Sequence, residues 1–182
     1  MKKNNIIYLN GLIDLAQSRL GSKIVYKTDE FFASAKRIIN PWPPIFKEGV
    51  FDKHGKWMDG WETRRKRTKG HDFLILKLGK PGFINKVDID TSYFSGNHPK
   101  YISLEACSIS GKLPNKRTNW KTIIKKSPTK ANSHHLFNIK NKNFFKDCIL
   151  PGRPISLQCK PTDIILGFLF PSSYKVSKLS LR

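Results

Sequence analysis

Cysteine is scarce in this sequence. The 182 residues hold three cysteines, Cys107, Cys148 and Cys159, odd in number and without CxxC spacing, which argues against a disulfide framework or a zinc knuckle. Long apolar runs are missing as well, since nothing approaches the roughly 20 residues of a membrane helix. Ile6-Ile7-Tyr8-Leu9 follows Lys2 and Lys3 but is too short for a signal core, and no small-residue cleavage site comes after it. A reduced, cytoplasmic chain with no membrane segment is expected. HExxH, P-loop and GxSxG patterns are absent too, so a zinc hydrolase, an NTPase or a serine hydrolase of the familiar kinds has no support. No metal and no cofactor are expected.

Acidic residues are few, 13 against 34 Lys and Arg, for a net charge of +21. Such a charge alone points to a phosphate-rich partner. The basic residues, however, are mostly lysines scattered among Asn and Ile, a pattern that codon bias toward A and T produces without selection for binding. What the chain does have is aromatic mass, with 12 Phe, 5 Tyr and 4 Trp. That composition is incompatible with disorder. A chain of this length fits a single domain, here residues 1–182, that buries roughly 70% of its unfolded surface.

Leu12, Leu15, Ala16 and Leu20 recur near helical spacing ahead of Gly21, which predicts a short helix. A second short helix is expected through Ile39, with Thr28 or Asp29 as its cap, before the extended Pro41-Trp-Pro-Pro44. Strands are read at Lys23 to Lys27, Phe73 to Leu78, Lys86 to Phe94, Tyr101 to Ile109, Thr122 to Ile124, His135 to Ile139, Asp163 to Phe170 and Lys175 to Leu181. About eight strands without alternating βαβ units fit an all-β, jelly-roll-like sandwich with short N-terminal helices. His134 and His135, adjacent on a strand, face opposite ways and are expected to be structural.

The segment Gly55 to Asp72 packs Trp57, Met58 and Trp61 among Asp59, Glu62, Arg64, Arg65, Lys66, Arg67, His71 and Asp72. It reads either as a loop that holds a ligand or as a solvated charge run pinned by two indoles, with Glu62 pairing an arginine. As a nucleic-acid clamp the run is disfavoured, because Asp59, Glu62 and Asp72 sit inside it and repel phosphates.

The block GKWMDGWETRRKR-x-x-GHD resembles the signature of allantoicases. Arg19-Leu-Gly21, Tyr26 to Ala33, Val87 to Pro99, Ser103 to Cys107, Ser127-Pro128 and Ser133 to Phe137 resemble further blocks of that family, in order, across residues 12–139. The resemblance implies a galactose-binding-like β-sandwich and hydrolysis of allantoate to ureidoglycolate and urea in purine degradation. Over 140–182 the sequence departs from the family pattern, with Thr162 to Ser173 lacking its closing histidine and arginine. Family members carry two such domains in tandem, so a homo-oligomer or a second allantoicase-like domain is the expected partner.

Given that substrate, Arg64, Arg65 and Arg67 are the candidate carboxylate holders, because a guanidinium presents a planar fork. Glu62, His71, Asp72 and Asp59 are the candidate acids and bases for expelling a ureido nitrogen. Asp29, Asp90, Asn97, His98 and Glu105 are further candidates for substrate contact. Each of several has a structural alternative: Asp29 as a helix cap, Asp59-Gly60 as a turn, Asp90 as a solvated strand residue and Asn97 as a turn former.

Overall fold

Alternation along the strands decides the architecture. The computed structural model describes residues 12–80, 82, 84–109, 113–139 and, along their backbone, 163–171, 175–176 and 178–181. Strand β1 is Lys23–Lys27, and β2 (Phe51–Asp52) and β3 (Gly55–Lys56) form a two-residue hairpin. Strand β4 is Trp61–Glu62, β5 His71–Lys77, β6 Lys86–Asp90, β7 Tyr101–Ile109, β8 Lys121–Pro128 and β9 His134–Asn138. Then follow β10 (Asp163–Pro171), β11 (Lys175–Val176) and β12 (Lys178–Leu181).

A five-stranded sheet in the order β1-β5-β10-β7-β8 and a three-stranded sheet in the order β12-β6-β9 carry the fold, with antiparallel pairing throughout. The larger sheet sends Leu74, Leu76, Ile102, Leu104, Ala106 and Ile124 inward, and the smaller sends Val87 and Ile89, into one buried cluster. This is the expected jelly-roll-like β-sandwich, and the eight expected strands are its main strands.

Among the described residues the two expected short helices are 3₁₀ helices, at Ser18–Leu20 and Ala35–Ile39, rather than longer α-helices. In the first region the Asp14 carboxylate accepts the Ala16 N–H at 3.0 Å, a local bond that competes with helix. In the second, the Glu30 carboxylate takes the Ala35 N–H at 3.1 Å and the Ser34 hydroxyl at 3.2 Å. Ser34, rather than Thr28 or Asp29, caps the turn. Gly21 does end the first element, with φ 92°. It is met by Gly79, where a Cβ would lie 2.3 Å from the Gly21 carbonyl carbon. The two backbones can touch only if residue 79 has no side chain.

The closing segment expected as one strand serves two partners: β11 pairs with β4 and β12 with β6. The adjacent histidines diverge as expected. His135 is structural, its Nε2 accepting the Lys130 N–H at 2.7 Å while Nδ1–H donates to the Ile89 carbonyl at 2.8 Å. Cys107 is a free, buried thiol that burial pushes up to about 11. Cys148 and Cys159 lie outside the described residues. Among those described, no helix is long and apolar enough to cross a membrane.

Candidate functional site

Three stretches distant in sequence are tied together around β4. Glu62 exchanges backbone hydrogen bonds with Ala33 at 3.1 and 3.2 Å. Trp61 is 1% exposed, and its indole N–H donates to the Asp29 carbonyl. Thr28 donates to Asp72 at 3.0 Å. Residues 28–35 thus wrap the short strand from one side while β11 pairs along it from another. The adjacent residues of an extended segment diverge, so Trp61 enters the core cluster and Glu62 turns the other way, onto a cleft.

That cleft has a volume of ≈ 540 Å³ and is lined by two stretches of sequence. One contributes Phe32, Phe46, His54, Gly55, Lys56 and Met58, with buried Glu62; the other contributes Tyr93, Ser95, Gly96 and Asn97. Aromatic contacts join the parts. Phe46 stacks on Tyr93 at 5.6 Å and so joins the two stretches, His54 stacks on Phe31 at 4.1 Å, and the Lys56 ammonium sits 4.7 Å from the centre of the Phe46 ring. Tyr93 has φ 67° in a turn closed by the Phe94 N–H on the Thr91 carbonyl. A non-glycine residue in that region is strained. Its own N–H donates to the Asn132 side chain at 2.8 Å, which holds the turn in place.

Of the residues singled out from sequence, Glu62 and Asn97 stand together on the cleft. The three arginines do not line it. Arg64 is bonded to Asp29, its guanidinium 2.9 Å and its backbone N–H 2.6 Å from the carboxylate, and it lies over Phe31. Arg65 and Arg67 are exposed. Burial alone would raise the Asp29 carboxyl, but the hydrogen bonds and charge of Arg64 outweigh it and hold it below the ordinary 3.8. Asp29 is therefore neither a cap nor a wall of the cleft.

Asp59 accepts the Ile45 N–H at 3.0 Å and fastens the proline-rich loop. Asp72 is 3% exposed and receives Thr28, Thr63 at 3.3 Å and Lys66 at 3.4 Å, underneath the block. His71 alternates to the outer face of β5, beside Phe73, and Glu105 likewise alternates away from buried Leu104 and Ala106 on β7. Asp90 is buried on β6, where it caps the Ser92 N–H at 2.7 Å and is raised above 3.8, chiefly by burial. His98, next to Asn97 in sequence, is half-buried and does not line the cleft. Sequence reasoning missed His54, Lys56, Phe46 and Tyr93. The signal for the first two was the hairpin Phe51 to Lys56, too short to register as strand.

A family model for the allantoicase repeat matches residues 13–152. The chain belongs to the allantoicase family. A probable allantoicase of Pseudomonas fluorescens strain SBW25 is 49% identical over 133 residues, covering 73% of this chain and 40% of that protein. A solved allantoicase structure superposes with a TM-score of 0.70 at 29% identity, covering 93% of this chain and 47% of its own. The allantoicase of Saccharomyces cerevisiae gives 0.62 at 26% identity, with 93% and 42% covered. The chain thus spans about two fifths of the length of the curated allantoicase relatives it matches.

Proposed function

We propose that the cleft binds allantoate and that the domain hydrolyses it to ureidoglycolate and urea. The observation that carries this reading is Glu62, a 6% exposed carboxylate on the cleft of an allantoicase-family domain. Allantoate has a central carbon bearing hydrogen, a carboxylate and two ureido groups. Expelling one as urea adds the oxygen of water to that carbon and sends a proton to the departing nitrogen. Glu62 is the group we assign to carry that proton, taking it from water and delivering it to nitrogen. Its backbone is fixed on both sides by Ala33, so the carboxylate needs little reorganisation to reach the reacting atoms. Asn97 offers an amide with both donors and an acceptor, which suits the second ureido group. His54, stacked on Phe31, lines the same cleft.

The test is urea release from allantoate by the purified chain. Glu62→Gln, which keeps shape, is expected to lower kcat by roughly 10²–10⁴-fold, the range for a lost proton-transfer group. A variant within threefold of wild type would remove Glu62 from the chemistry. Binding of allantoate without any urea from wild type would leave a ureide-binding domain that does not turn over. We further propose that the working form brings together two allantoicase-like domains, as two copies of this chain or as this chain with a different second domain. Mass measurement in solution under assay conditions tests it, since full activity from a monomer of this chain alone would reject it.

A further inference from the structure

An allantoate-sized ligand brings a carboxylate into the cleft, and the three arginines that sequence offers for it are directed elsewhere. Lys56 is the one Lys or Arg side chain among the described lining residues. Among the described residues it forms no ion pair; its ammonium rests on the Phe46 ring, 4.7 Å from the centroid. We propose that Lys56 is the carboxylate-binding residue of the cleft, positioned by Phe46. The assignment rests on the allantoate reading for the identity of the ligand.

The physical case is a comparison of what occupies each cation. Arg64 is already satisfied by the Asp29 carboxylate, so a substrate anion would have to displace an internal one. An aromatic face holds an ammonium in place without neutralising it. Lys56 therefore keeps its charge available, and a carboxylate can add a charge-assisted hydrogen bond on the side away from the ring. Phe46 is itself steadied by stacking on Tyr93, so the ammonium is tied to the stretch of the lining that also carries Asn97. Lysine is a point charge rather than a fork. The site should then select for negative charge on a small ligand more than for a bidentate carboxylate geometry.

Urea release at varied allantoate concentration, with Lys56→Met, Lys56→Arg and, as a control on the exposed arginines, Arg65→Ala, tests this directly. The carboxylate is unchanged through the reaction, so its holder contributes equally to ground and transition states and is read in KM. Lys56→Met is expected to raise KM by roughly 10- to 100-fold, the range for a hydrogen bond to a charged group, with kcat changed less than threefold. Lys56→Arg recovers most of the loss, and Arg65→Ala leaves KM unchanged. A second arm titrates malonate, a carboxylate without ureido groups, while the lysine ε-carbon resonances are followed by NMR, Lys56 being identified by its disappearance in Lys56→Met. Its shift should saturate at lower malonate than the other lysines.

A KM within twofold of wild type in Lys56→Met overturns the assignment, as does a Lys56 resonance that malonate moves no more than the rest. Absence of urea from wild type, with malonate still saturating Lys56, sinks the hydrolysis reading and leaves the anion site standing. Failure of both arms removes both.

Discussion

Residues 55–62 and 63–72 form one uninterrupted, charge-rich run, yet only the first half reaches the cleft. Lys56, Met58 and Glu62 stand on its lining, whereas Arg64, Lys66 and Asp72 are turned to partners inside the fold. Both halves are polar, and the second carries more charge per residue. The difference is one of satisfaction. In the second half Asp29 binds Arg64, while Asp72 gathers Thr28, Thr63 and Lys66. Those groups act as a clasp joining the 28–35 segment to β5. A dense run of charge therefore marks two kinds of work, and only the direction of each side chain separates them.

The largest expected effect is at the junction of the halves. Trp61→Ala removes a fully buried indole and its hydrogen bond to the Asp29 carbonyl, and should cost about 3–5 kcal/mol of unfolding free energy. Chemical denaturation measures it. A loss below about 1 kcal/mol would show that the block is not anchored through β4, and the contrast between its halves would lose its structural basis. Next comes Asp72→Ala, which removes the buried acceptor shared by Thr28, Thr63 and Lys66 in the second half. About 2–3 kcal/mol of destabilisation is expected, with KM and kcat of the remaining folded protein unchanged. A stable variant that has lost turnover would instead move chemistry into the second half.

Asp29 offers a smaller and pH-dependent test of the clasp. Its carboxyl is held below the ordinary 3.8 despite burial, by the bonds from Arg64. A depressed folded value means the group binds its proton less readily folded than unfolded, so its contribution is present above 3.8 and is lost as pH falls through the folded value. Arg64 is 65% exposed, so the contribution at neutral pH should be no more than about 1 kcal/mol. Unfolding free energy measured from pH 6 down to pH 3 should fall more steeply in wild type than in Asp29→Asn. Parallel curves would mean that Arg64 is not engaged in solution.

How much of this was legible in the sequence follows from the range of the interactions involved. Strands such as Lys23–Lys27 and Tyr101–Ile109 are local patterns of alternation, and they appear with the expected bounds. The helices expected around Leu15 and Phe32 shrink to short 3₁₀ helices because Asp14, Glu30 and Ser34 spend their side chains on nearby backbone N–H groups, a local competition that apolar spacing does not reveal. At the site, Glu62 and Asn97 were visible as residue types within recognisable blocks. Lys56 does not stand out from the arginines beside it in sequence, because residue type alone ranks cations by chemistry. Which cation faces the cleft depends on Asp29, some 35 positions from Arg64, taking the guanidinium, and on the hairpin of β2 and β3 that carries Lys56 to the wall.

The smallest expected effect is also the one that most sharpens the contrast. Arg65 and Arg67 are exposed, and neither belongs to the cleft lining. A surface arginine away from special features changes stability by no more than about 0.5 kcal/mol, and one that touches no substrate leaves no mark on kcat or KM. The double variant Arg65→Ala, Arg67→Ala should therefore match wild type in unfolding free energy and, within about twofold, in both constants. Long-range attraction adds a salt-dependent contribution: the chain carries +21, and removing two charges weakens steering of an anionic ligand. That contribution is screened by salt. A modest KM increase that disappears at 0.5 M salt is thus consistent with exposed arginines outside the site. An increase that persists at high salt would place a guanidinium on the carboxylate after all, and the division between the two halves of the block would have to be redrawn.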